Sequence, residues 1–236
     1  MTEWVIKAIL SYLLGSIVGG LVVGRLRGGV DIRRLGSGNA GGTNALRTQG
    51  KSFAFWVLLI DIGKGWVATR VLARVSLSGD TLGGGGVDPP VVGGALHEWP
   101  YGMQPYGWIA VACGVAVMLG HIYPIWYGFR GGKGVATLVG AVLGLDAWML
   151  IPMLVTWLVA VVLFGFVGLA SMLGALALAV AAAAGPSSPD APLLVFGVLG
   201  AALIAYTHRS NIARMRAGKE PRVRRLWLFG SRRGGA

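Results

Sequence analysis

Cysteine, acid and histidine are all scarce in this chain of 236 residues. The single cysteine, Cys113, excludes an internal disulfide and any cysteine-based metal cage. It sits in an apolar run, which points to packing rather than reactivity. Only 13% of residues are charged, against about 25% in soluble domains. Acids number 9 against 21 Lys plus Arg, a net charge of +12. In a polar chain that balance would direct attention to nucleic acid. Here 55% of residues are apolar and the mean hydropathy is +0.68, so the partner expected is a lipid bilayer and not a nucleic acid. A soluble globule, a disordered chain and a coiled coil are all disfavoured. Glycine (40) and tryptophan (9) are plentiful, and both are frequent in or beside membranes.

A membrane helix needs about 20 mostly apolar residues. Five windows approach this: 4–24, 52–73, 106–127, 147–185 and 191–207. The first lacks a small-residue cleavage site after it and reads as an uncleaved span. The fourth has about twice the length of one span. It predicts a hairpin of two helices that turns near Gly165–Gly168. A short apolar stretch, Val135–Leu145, brings the count to about seven helices, or six if it does not cross. The fold class expected is therefore an all-α polytopic membrane protein with one short span. Residues 1–236 read as a single membrane-embedded domain, with 219–236 as its basic tail.

Charge sets the orientation. Arg25, Arg27, Arg33, Arg34, Arg47 and Lys51 separate the first two windows, and Arg130 and Lys133 precede the short helix. Nine more basic residues follow the last window. These seventeen of the 21 fall in three regions that the positive-inside rule places in the cytoplasm, with the N-terminus outside. Asp80, Asp88, Glu98, Asp146 and Asp190 occupy the other connections. The connector 76–105, rich in Gly and Pro, reads as a flexible link, with His97 a bystander.

Functional signal should come from polar groups that the membrane makes costly. Asp61 and Lys64 lie in the second window, three apart on one helix face. An unpaired charge at the bilayer centre costs at least about 2.5–3.5 kcal/mol. Two readings stay open: a neutralised pair that locks helices, or Lys64 reaching an anion while Asp61 orients it.

Each of the three basic regions carries a dense polar cluster. The first contains Gly36-Ser37-Gly38-Asn39-Ala-Gly41-Gly42-Thr43-Asn44 and then Arg47. Glycines let successive N–H groups turn inward as an anion-binding nest, Ser, Thr and Asn add neutral donors, and Arg47 adds a bidentate charge. The same stretch matches G-x-G-x-x-G, but no strand–helix unit surrounds it, so a dinucleotide site is rejected. The second contains His121, then Arg130-Gly131-Gly132-Lys133-Gly134, which leads into the short helix. A helix N-terminus beside a lysine suits an anion. His121, a single histidine at the end of a span, reads as hydrogen-bonded and structural. The third contains His208, Asn211 and Arg214, which share a face if the last helix continues. Together the clusters suit a small, multiply anionic ligand at the inner leaflet, with the apolar remainder guiding a lipid tail.

These motifs, in this order, resemble the PlsY family of bacterial glycerol-3-phosphate acyltransferases. The resemblance rests on Gly24-Arg25, Asp31-Ile32-Arg33, Gly36 to Arg47, Asp61…Lys64-Gly65, Gly120-His121…Pro124…Phe129-x-Gly131-Gly132-Lys133-Gly134-x-Ala136-Thr137, and His208-Arg209-x-Asn211…Arg214…Gly218…Glu220. It departs at Val18, where Pro is expected, at Ala40, Gly42 and Arg130, and at Gly168-Leu-Ala-Ser171, a reduced serine-rich turn.

The resemblance implies transfer of a fatty acyl group from acyl phosphate to the 1-hydroxyl of glycerol 3-phosphate, without metal or organic cofactor. It implies a bacterial inner-membrane protein with a cytoplasmic site, and an enzyme that forms acyl phosphate as an upstream partner. It implies catalytic roles for His208, Asn211, Ser37, Lys133 and Arg47. Substrate binding would involve Gly36, Gly38, Asn39, Gly41, Thr43, Asn44, Lys64, Gly131, Gly132, Gly134 and Ser171. The His-x-x-x-x-Asp pair of other glycerophosphate acyltransferases is absent, since Trp126 and Ala213 stand five residues after His121 and His208. A transporter of phosphorylated anions would use similar basic groups, but no internal repeat is evident.

Overall fold

The structure is a computed structural model that describes residues 2–75, 104–184, 191–223 and 227–228. Most of the predicted connector 76–105, with His97, lies outside the described residues, as do Asp190 and the end of the tail. The described residues form α-helices joined by turns and by two longer loops, 27–41 and 123–134, with no strand among them. The chain packs as two compact units, Met1–Ala147 and Trp148–Ala236.

Unit 1 holds six helices: α1 (Thr2–Gly15), α2 (Gly19–Leu26), α3 (Gly42–Gln49), α4 (Lys51–Trp66), α5 (Gln104–Ile122) and α6 (Val135–Leu145). The first apolar window is not one straight helix. It breaks at residues 16–18, and α1 and α2 meet at a bend of 46°. Apolarity alone carries no sign of such a break. Gly15, Ser16, Gly19 and Gly20, all poor helix formers, supply the local weakness. α4 continues to Leu72 with a wider, π-helical winding. Its far end is closed by buried Lys7, whose Nζ donates to Ala73 O (2.9 Å) and pairs with Glu3 (2.8 Å). A cation suits the carbonyl end of a helix.

Small residues let these helices touch. A Cβ at Gly15 would collide with the Val117 carbonyl of α5, and one at Gly140 with the Ile62 carbonyl of α4. Thr69 of the π segment donates across to Ala141 O of α6 (3.0 Å). Apolar packing fills the rest, with Phe53, Val57 and Ile32 buried together.

Unit 2 holds α7 (Leu150–Phe164), α8 (Val167–Ala183), α9 (Ala191–Thr207) and α10 (Arg209–Arg216). The predicted hairpin is present. α7 ends where Gly165 takes φ +75°, a left-handed C-terminal position that glycine adopts without strain. α9 and α10 are separated by a 54° bend at His208. The basic tail begins docked: Val223 N donates to Gly165 O (2.8 Å), and Arg222 lies between the rings of Phe166 and Trp227 (4.6 and 4.1 Å).

Three helices are long and apolar enough to cross a membrane, or up to five if each bent pair is one span. α6 and α8 are shorter apolar helices. The protein is accordingly a polytopic, all-helical membrane protein. Large exposed apolar side chains such as Ile151, Leu154, Val155 and Leu158 on α7 fit a lipid-facing surface.

Candidate active site

The first glycine loop of unit 1 is closed by one side chain. Asn44, buried in the first turn of α3, accepts from Ser37 N (2.9 Å) through Oδ1. Its Nδ2 lies within hydrogen-bond distance of the carbonyls of Ile32 (2.9 Å), Leu35 (3.0 Å) and Asn39 (2.9 Å). Gly36, at φ +57°, passes so close to the Asn44 amide that a Cβ would strike it. Gly38 N donates to Leu35 O (3.1 Å). Two amides expected to face an anion, those of Ser37 and Gly38, are therefore committed to closing the loop.

What this loop presents outward is a helix start and side chains. α3 begins at Gly42 with Gly41 before it and no side-chain cap. The first amides of a helix lack helical acceptors. Ser37, Thr43 and Arg47 are exposed, and Asn39 is half-buried. No side-chain hydrogen bond or ion pair holds Arg47 among the described residues.

The second glycine loop follows the same plan. Gly131 N donates to Ile122 O (3.1 Å) and Gly132 N to His121 O (3.0 Å). These glycines shape the loop, and their own amides point back into the protein. A Cβ on Gly132 would drive into the His121 ring at Nε2. Gly134, at φ +86°, leads into α6, again with no side-chain cap. Lys133 is half-buried between them. Both helix starts lie along α4: a Cβ at Gly42 would meet Leu58, and one at Gly65 would meet the Thr137 carbonyl of α6.

Behind the second loop sits a buried polar cluster. Lys64, only 4% exposed, lies 3.0 Å from Asp61 Oδ1 and donates to Gly15 O (2.9 Å) and Ile17 O (2.8 Å). Its Nζ is also 2.8 Å from His121 Nδ1. An ammonium has three protons and no acceptor, so Nδ1 must accept in that contact and the His121 proton belongs on Nε2. Asp61 Oδ1 takes Gly19 N as well (3.0 Å). Of the two readings of Lys64, the geometry favours the lock: its protons already face four acceptors inside the protein.

Arg33 enters the sequence reading as a cytoplasmic charge and as part of the Asp31-Ile32-Arg33 motif, with no role of its own. It forks onto Asp31, with Nε 3.0 Å from Oδ1 and Nη2 2.8 Å from Oδ2. Its Nη1 reaches the second loop region, donating to Tyr127 O (3.1 Å) and Arg130 O (2.8 Å). The hydrogen-bonded Arg33 guanidinium holds the Asp31 carboxyl below the usual carboxylate range, and Asp31 raises Arg33 in turn. The signal available beforehand was the Asp-x-Arg spacing, which fits a turn closed by its own ion pair.

Unit 2 carries the third group. His208 is buried, and its Nδ1 lies 2.8 Å from Ile204 O. A carbonyl only accepts, so the proton sits on Nδ1 and Nε2 is the basic nitrogen. Asn211 is buried as well, and its Nδ2 donates to Glu220 Oε1 (2.6 Å). Arg214 Nε donates to the other oxygen of Glu220 (2.7 Å). Gly168 lies directly against Asn211, where a Cβ would come within 2.8 Å of Nδ2. A side chain at that position would require the Asn211 amide to shift. Ser171 is buried one turn further along, and its hydroxyl donates to Val167 O of its own helix (2.9 Å).

The profile of the family described as glycerol-3-phosphate acyltransferase matches residues 5–218 and so spans both units. The chain is 36% identical to a glycerol-3-phosphate acyltransferase of Synechococcus elongatus, over 92% of each chain. It is 32% identical to one of Coxiella burnetii, over 94% of this chain and 98% of that one. Among solved structures it resembles PlsY, an integral membrane glycerol 3-phosphate acyltransferase, in its glycerol 3-phosphate form. The TM-score is 0.71 at 33% identity, over 93% of this chain and 94% of that one. The lysophosphatidic acid form gives a TM-score of 0.70 at 32% identity.

Proposed function

The chain belongs to the glycerol-3-phosphate acyltransferase family, and from that membership and the geometry above we propose that it acylates the 1-hydroxyl of glycerol 3-phosphate. The acyl donor in this reading is a fatty acyl phosphate, and the products are lysophosphatidic acid and orthophosphate. The setting is a bacterial inner membrane crossed seven times, with the N-terminus outside and the chemistry on the cytoplasmic side. The observation that carries the reading is the pair of helix starts, α3 and α6, each entered through a glycine loop and left without a side-chain cap, with Arg47 in the last turn of α3 and Lys133 just ahead of α6.

In unit 1, Arg47 and Lys133 hold phosphate groups, with the first amides of α3 and α6 as fixed dipoles. Ser37, Asn39 and Thr43 add neutral hydrogen bonds. Gly36, Gly38, Gly41, Asn44, Gly131, Gly132 and Gly134 give the loops their shape, and Lys64 holds that shape from within. In unit 2, His208 and Asn211 orient glycerol phosphate, and Ser171 lies on the neighbouring helix as a polar contact. The glycerol oxygen attacks the acyl carbonyl carbon, the new ester bond forms and the carbon–oxygen bond to phosphate breaks. The hydroxyl proton passes to His208 Nε2 or to a substrate phosphate oxygen. Acyl phosphate is already activated, so the protein mainly positions groups and stabilises developing charge on the carbonyl oxygen and departing phosphate.

The test is purified protein with acyl phosphate and glycerol 3-phosphate, assayed for orthophosphate and lysophosphatidic acid. Acyl-CoA serves as the contrasting donor. Product from acyl-CoA alone would overturn the donor assignment. Product from neither, with intact folded protein, would overturn the reaction.

A further inference from the structure

Arg33 lies in the turn Ile32–Arg34, just ahead of the first glycine loop. Its reach comes from the side chain. The two carbonyls it holds, Tyr127 and Arg130, are 94 and 97 residues further along the chain. They flank Phe129, the one non-glycine residue with positive φ (58°) among the described residues. A bulky residue there is strained. Phe129 is 56% exposed, so burial of its ring does not account for the strain. The flanks do: Phe129 N donates to Pro124 O (2.9 Å), and Arg33 fixes the carbonyls on either side. Immediately after Arg130 come Gly131 and Gly132, anchored on Ile122 and His121, and then Lys133.

We infer that Arg33 is a positioning residue: through the carbonyls of Tyr127 and Arg130 it fixes the path by which the second glycine loop presents its phosphate-holding groups. The inference rests on the assignment of Lys133 and the first amides of α6 to phosphate given above. Arginine suits the task because its planar fork meets a carboxylate with one edge and carbonyls with the other. Four of its five N–H bonds point to Asp31, Tyr127 and Arg130. It acts on substrate through the loop it holds. Lysine would keep the charge and lose the fork.

The experiment uses the full-length protein in detergent. In Arg33→Lys, amide hydrogen exchange across 131–134 should speed up about tenfold without substrate. The Kd for glycerol 3-phosphate should rise about tenfold, as expected for a displaced binding group. In a Lys133→Ala background the same change should weaken binding less than about twofold, because contacts acting through one group are not additive. Asp31→Asn should move exchange and Kd in the same direction by a smaller factor, and it carries the same measurements if Arg33→Lys does not fold. Unchanged exchange and Kd in Arg33→Lys would overturn the inference. So would an equal loss in both backgrounds, which marks a direct ligand or a general structural role. A wild-type protein that neither binds glycerol 3-phosphate nor transfers an acyl group overturns the proposed function instead. The exchange measurement then still decides whether Arg33 holds the loop.

Discussion

Asp61 and Lys64 stand in for one missing backbone hydrogen bond. In an unbroken helix Gly19 N would donate to Gly15 O. At the α1–α2 break Gly19 N donates to Asp61 and Gly15 O accepts from Lys64. The ion pair splices donor and acceptor at a distance, and His121 joins it from α5.

This splice predicts an asymmetry. Lys64→Met leaves a buried carboxylate without its cation, a change that typically costs about 3–5 kcal/mol. The double variant Asp61→Asn/Lys64→Met removes both charges and should be the more stable of the two. Thermal midpoints in detergent check the order, and a double variant melting below the single one would refute it.

Gly132→Ala should damage the protein from inside. The added methyl meets the His121 ring, which is held on its other nitrogen by Lys64. A fall in thermal midpoint together with lost turnover is expected. The same substitution in a His121→Ala background should recover most of the midpoint difference, because the ring it strikes is gone.

Arg47→Ala and Lys133→Ala should each lower turnover by at least about 100-fold, as expected for removing a preorganised charge contact. Arg47 is exposed, so its variant should fold normally in detergent. Steady-state rates with acyl phosphate check this, and near-normal rates would remove the residue from the site.

His208→Gln separates two routes for the proton. If Nε2 is the base, the variant loses about 100-fold or more in turnover and the limb of the pH profile that reports histidine ionisation disappears. If a substrate phosphate takes the proton, the variant keeps most of its activity and the profile keeps its shape.

The Asp31–Arg33 fork should be insensitive to pH except in acid. Hydrogen bonding to Arg33 lowers the Asp31 pKa on folding. Its contribution is therefore complete above the ordinary carboxylate value of about 3.9, and is lost as pH falls through the lowered one. The midpoint difference between wild type and Asp31→Asn should be constant from about pH 5 to 8 and close below about pH 4.

Much of the fold was legible because it follows from apolar length. The short helix falls on Val135–Leu145, and the long fourth window turns at Gly165. The break in the first window was not, since hydropathy is blind to where backbone bonds are interrupted. In the site, residue types and their order were readable, but donor direction was not. Nothing in Gly-Gly-Lys-Gly says that the amides of Gly131 and Gly132 turn inward. Arg33 was readable as a charge and as part of Asp31-Ile32-Arg33, but its hold on carbonyls 94 and 97 residues away was not, because neither a motif nor a charge count shows where a side chain ends. Lys64 was legible as a costly charge, while its partners Gly15 and Ile17 lie 49 and 47 residues away.

The Asn44 amide bears on the thermodynamics of capture. With Ser37, Ile32, Leu35 and Asn39 already tied to one side chain, the loop is assembled before any guest arrives. Little ordering remains to oppose association. Calorimetry of glycerol phosphate uptake should accordingly record a small heat-capacity change, where a loop that folded around its guest would give a large negative one.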